Sequence, residues 1–113
     1  MRFLLMLTWA AEWDRLPPAE QQSVVEAHGR LKAELTAQGK FVESAALRAP
    51  AEAVTVRLRD GARVVLDGPF TETKEAVGGY YIVEATSRDE AVEWAKKVPI
   101  VGGAVEVRAL WGE

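Results

Sequence analysis

RFLLMLT, residues 2–8, is apolar on both sides when extended. Successive side chains on a strand point to opposite faces, so Phe3, Leu5 and Leu7 share one face while Leu4 and Met6 share the other. A run that is apolar on both faces is expected in a central strand covered on each side. The same stretch, with Arg2 ahead of its apolar run and Ala10-Ala11 behind, resembles a secretory leader. Its shortness and the Thr8-Trp9 pair that ends it favour a buried strand instead. Nowhere does the 113-residue chain approach the roughly 20 consecutive apolar residues that a bilayer-spanning helix needs.

Beyond a loop that carries Trp9 and Trp13, residues 17–39 read as a helix. Proline opens it, Glu20 suits its electropositive first turn and Gly39 stops it. Val24, His28, Leu31 and Leu35 fall on one face of that helix, which turns the only histidine toward the core. FVESAAL (41–47) is a strand, and VTVRLR, Asp60-Gly61 and RVVLD (63–67) form a β-hairpin. In its first arm Val54, Val56 and Leu58 alternate with Thr55, Arg57 and Arg59, so one face is wet. GYYIVEA (79–85) is the next strand. The second helix begins at a capping box, Ser87 with Glu90, and presents Ala91, Trp94, Ala95 and Val98 inward. AVEVRAL (104–110) is the last strand.

Without the hairpin the order is strand, helix, strand, twice over. That is an α+β, ferredoxin-like split βαβ arrangement with an inserted β-hairpin, in one domain over residues 1–113. Both helices then cover one face of an antiparallel sheet, and the other face of residues 2–8 needs a second cover. A second copy of the same sheet supplies it economically, so a homodimer is expected.

Composition excludes several functions. Seventeen acidic against fourteen basic side chains give a net charge of −3, which provides no broad basic surface for nucleic acid. The chain has no cysteine and one histidine, so thiolate chemistry, disulfides and multi-histidine metal sites are absent, and a reducing cytoplasm fits. Ser23, Ser44 and Ser87 sit in no nucleophile-elbow context. The VGG runs at 77–79 and 101–103 each precede a strand, not a helix, and read as turns.

Two places could carry chemistry. His28 is either a packed residue or a general acid/base in a partly dry pocket, and Gly29 beside it either admits a close neighbour or permits tight packing. DGPFTETKE (67–75) turns the chain out of the hairpin at Asp67-Gly68-Pro69. It then places Phe70 beside alternating polar groups, as a solvated edge or as a pocket-lining strip. Trp9 and Trp13 resemble pocket or interface lining, Trp94 resembles core, and an exposed Trp111 would be costly.

DGPFTETKE, followed by GGYYIVEATSRDEAVEWAKKVP and a terminal VEVRAL, resembles the YCII-related family, in its DGPF branch. The resemblance covers nearly the whole chain. It implies a bacterial, cytoplasmic protein whose ferredoxin-like units pair into a dimeric α/β barrel, and an association with extracytoplasmic-function sigma factors. Shorter YCII-like relatives carry a proposed histidine and aspartate pair, with an Ala-His eleven residues before a helix-ending glycine, as His28 stands before Gly39. The resemblance thus implies His28 and Asp67 as the acid/base pair, with Glu72 or Glu75 as other partners for the histidine. Phe70, Glu72, Lys74, Tyr80, Trp9 and Trp13 are the expected binding residues. Two readings follow. One is a cofactor-free enzyme acting on a small apolar or aromatic metabolite, and the other is a non-catalytic module that binds a ligand or a sigma factor.

Overall fold

A computed structural model describes residues 1–69 and 76–112. Strand β1 (Arg2–Thr8) lies between β5 (Val77–Glu84) and β6 (Val105–Ala109), antiparallel to both, and β2 (Phe41–Ala46) pairs with the outer side of β5. The resulting order β2-β5-β1-β6 is the ferredoxin-like one, with helices α1 (Pro18–Ala37) and α2 (Arg88–Ala95) as the crossovers. Strands β3 (Val54–Arg59) and β4 (Ala62–Asp67) form a separate two-stranded sheet. Asp60 and Gly61 both have positive φ, as a tight hairpin turn requires.

Register fixes the two faces of the large sheet. Phe3 lies opposite Val83 and Ala109, and Leu5 opposite Tyr81 and Val107, on the face that joins Leu31, Leu35, Trp94 and Val98 in the core. Leu4 and Met6 lie opposite Ile82 and Tyr80 on the other face. There they are half-buried and framed by polar groups: Arg2 bonded to Glu84 at 3.0 Å, Arg108 to Glu106, and Tyr80 to Glu43. The central position of β1 and its apolar character on both faces thus agree with the sequence.

Helix α1 ends as expected at Gly39, in a left-handed conformation with φ of 70°. The Lys40 amide donates to Leu35 and the Gly39 amide to Thr36, the paired bonds of a Schellman motif. At α2 the Ser87 hydroxyl accepts from the Glu90 amide at 3.2 Å, but the Glu90 carboxylate reaches one residue further back than a capping box requires, to the Thr86 amide at 2.9 Å. Lys40 also pairs with Glu90 at 2.7 Å, tying the end of α1 to the start of α2. Trp94 is buried, as its place on the inward stripe implies, whereas Trp111 is fully exposed.

The Lys40 ammonium, followed by the Thr86 amide, holds the Glu90 carboxyl at a pKa of about 2, against an ordinary 4.5. A depressed carboxyl stabilises the fold above its unfolded pKa, and that contribution disappears as pH falls from about 4.5 to about 2. Solvent screens this partly exposed pair, so Glu90→Gln is expected to cost about 1–2 kcal/mol at neutral pH. Urea denaturation across a pH series should show the variant with a flatter acid limb in that window. An acid limb that matches wild type would mean the pair contributes nothing.

Three features differ from the sequence reading. Val77-Gly78-Gly79 is not a turn but the first part of β5, because other backbones lie against it: a Cβ on Gly78 would meet Trp9 Cα at 2.9 Å, and one on Gly79 would meet the Ala45 carbonyl at 3.0 Å. The hairpin keeps its alternation, yet its apolar side is open, with Leu58 and Val65 more than 60% exposed. Among the described residues it pairs only with itself, and the radius of gyration is 15.9 Å, above the ~13 Å of a compact chain of this length. Finally, Gly29 serves neither close approach nor tight packing, since a Cβ there would meet nothing within 4 Å. Gly29→Ala is therefore expected to stabilise the protein by about 0.5–1 kcal/mol, through helix propensity alone, as measured by thermal or urea unfolding.

Candidate functional site

Where α1 passes over the start of β5, the loop of residues 9–13 and residues 99–102 flank a half-open cavity of about 420 Å³. That is a size usual for small-molecule sites. Its walls include Trp9, Trp13, Val24, Leu47 and Ile100, with Tyr81, His28 and Lys32 supplying the functional groups. The approach of the Trp9 backbone to Gly78 and the bond from the Trp9 amide to the Ala76 carbonyl, 2.6 Å long, pin the tryptophan loop to β5.

His28 is half-buried in this wall, and its Nδ1 lies 2.5 Å from the Tyr81 hydroxyl, with the two rings stacked at 18°. Pro99 makes a backbone hydrogen bond to the imidazole. Proline has no N–H, so its carbonyl accepts, and with Nδ1 taken by Tyr81 the donor is Nε2–H. This places a lone pair on Nδ1 and makes Tyr81 the donor to it. Burial, and next the charge of Lys32, push the His28 pKa below 6.5, against the Pro99 bond, so the ring is neutral at pH 7. Burial pushes Tyr81 up to about 12. A neutral imidazole that accepts from a protonated phenol is the charge state with least desolvation cost.

Of the residues expected at the site, His28, Trp9 and Trp13 come together in the cavity. Asp67 does not join them: it ends β4, is exposed, and stands outside the lining, while Tyr81 occupies the histidine's Nδ1. Tyr80 reaches the cavity wall, but strand alternation sends its side chain to the opposite sheet face, where its hydroxyl donates to Glu43. Phe70, Glu72, Lys74 and Glu75 lie outside the described residues. Tyr81 and Lys32 are additions from the structure. Parity with Leu5 and Val83 was the available signal for Tyr81, and a position one helical turn after His28 was the signal for Lys32. Among the described residues no group of three or more His, Cys, Asp or Glu side chains could hold a metal ion, and no helix is long and apolar enough to cross a membrane.

The model of the YCII-related domain matches residues 1–112. The chain belongs to the YCII-related family. An uncharacterised protein of Rhizobium meliloti (strain 1021) is 37% identical over 95 residues, covering 75% of this chain and 77% of that one. Among solved structures, this YCII-related chain is similar to 5-chloro-2-hydroxyhydroquinone dehydrochlorinase (TftG) from Burkholderia phenoliruptrix AC1100, determined with 2,5-dihydroxybenzoquinone. The TM-score is 0.51 at 19% identity, over 97% of this chain and 93% of the other. That likeness shows a shared fold.

Proposed function

We propose that this YCII-related protein is a small enzyme of proton transfer, acting on a small apolar or aromatic metabolite held in the cavity, with His28 and Tyr81 as the acid–base pair. One observation carries the reading: a neutral histidine inside an apolar cavity, with a single tyrosine hydroxyl against its lone pair. The pair can relay a proton. A substrate O–H donates to the Tyr81 oxygen as the Tyr81 proton passes to His28 Nδ1, leaving the phenol neutral, the imidazole charged and the substrate anionic. Reversal returns the proton. The dehydrochlorinase of like fold, determined in complex with a quinone, supports an aromatic substrate.

A turnover screen over hydroxylated aromatic compounds tests this, with His28→Gln and Tyr81→Phe beside wild type. Loss of turnover in both variants with binding retained is the expected result, and an unchanged rate in His28→Gln would remove the proton-transfer role. Wild type that binds compounds but turns none over would make the chain a non-catalytic binding module.

The same reading includes a homodimer. Leu4, Met6 and Ile82 form an apolar centre on the sheet face away from the helices, inside a rim of charged side chains, which is the usual anatomy of an interface. Light scattering that finds single chains at micromolar concentration would overturn this.

A further inference from the structure

We infer that the cavity selects a small aromatic anion, specifically a monocarboxylate of benzoate size, with Lys32 pairing the carboxylate at the mouth and the His28–Tyr81 pair facing the ring substituents. The inference rests on the cavity reading above and narrows it.

Charge distribution is the first ground. The chain as a whole carries a net charge of −3, yet no aspartate or glutamate is among the described residues that line the cavity. Lys32 provides the lining's formal charge, since His28 is neutral. The lining itself thus carries charge opposite to that of the molecule, with the Glu12 carboxylate at one side of the rim. An anion would be repelled over much of the surface and attracted here, where low-dielectric walls concentrate the field.

Pairing is the second ground. Lysines 40, 96 and 97 each hold a glutamate within 3.0 Å, whereas Lys32 has no carboxylate partner among the described residues. Its ammonium is therefore available to a ligand. Lys32 is exposed, as a residue at a mouth should be, and its charge reaches His28 one turn before it on α1. An anion bound to Lys32 would accordingly sit within electrostatic reach of the imidazole. At the rim the Glu12 carboxylate lies over Gly102, where an added Cβ would overlap it. It turns the anionic end of a ligand away from that side.

Shape is the third. Trp9, Trp13, Val24 and Ile100 offer flat and apolar surface beside these polar groups, and about 420 Å³ holds a single substituted ring with room to spare.

The test compares three probes of one shape: benzoate, neutral benzamide and cationic benzylamine. Binding to the full-length protein is followed by the NMR signals of its only histidine and by tryptophan fluorescence. Benzoate is expected to shift the His28 signals and to bind about tenfold more tightly than benzamide, the scale of one charge-assisted contact, with benzylamine weakest. Lys32→Gln should abolish that preference without lowering the melting temperature, and Lys32→Arg should keep it. Equal affinity for benzoate and benzamide, or a Lys32→Gln variant that still prefers benzoate, would overturn the inference while the cavity reading stands. If none of the three probes moves the His28 signals, both the inference and the cavity reading fail.

Discussion

Leu35→Ala is expected to lower the unfolding free energy by about 3–4 kcal/mol, the largest single loss foreseen for this chain. Leu35 is fully buried on the inward face of α1, in the same cluster as Phe3, Leu5 and Trp94. Truncation removes its transfer free energy and leaves a cavity walled by a rigid sheet on one side and helices on the other. Relaxation there is limited, because the C-terminal turn of α1 is also held by the Schellman bonds at Gly39 and by Lys40 on Glu90. For a domain whose whole stability is of the order of 5–15 kcal/mol this is a large share, and Tm should fall by about 10–15 °C. Urea denaturation at constant m value is the measurement. A loss below about 1 kcal/mol would mean that the helix packs against the sheet less closely than described.

Gly78→Ala is the second large effect and has the opposite sign to Gly29→Ala. The substitution is the same, but at Gly78 the new methyl would lie 2.9 Å from Trp9 Cα, 3.0 Å from Trp9 N and 3.1 Å from the Thr8 carbonyl oxygen. All three are backbone atoms and no rotamer change relieves them. Either β5 moves away from β1 at the register shift between Leu7 and Thr8, or the tryptophan loop lifts and the amide bond from Trp9 to Ala76 breaks. Overpacking of this kind costs about 2–3 kcal/mol. Since Trp9 walls the cavity, ligand affinity should fall as well, with a red shift of tryptophan emission. Wild-type stability combined with wild-type emission would contradict the close approach.

Most of the fold could be read from the sequence because its signals are local and mutually consistent. Residues 3–7 are apolar on both faces without a polar interruption, α1 carries both of its terminal markers, and Asp60-Gly61 supplies the positive φ values that its turn demands. The site was less legible. His28 could be placed on an inward helical face by spacing alone, but its partner depends on strand register, and a one-residue change of parity exchanges Tyr80 for Tyr81. Asp67 was attractive through its motif, whereas the hairpin that carries it pairs as a sheet of its own. Gly78 and Gly79 looked like turn residues because no local pattern reveals the distant backbones that approach them, Trp9 at Gly78 and Ala45 at Gly79.

Tyr81 also belongs to two systems at once. Its ring is part of the wall that keeps the protein folded, and its oxygen is the group that meets the histidine. Evolution cannot easily retune one without disturbing the other. Divergence of chemistry on this scaffold should therefore run through the helix side of the pocket, at His28 and Lys32, where side chains can change while the sheet beneath them stays as it is.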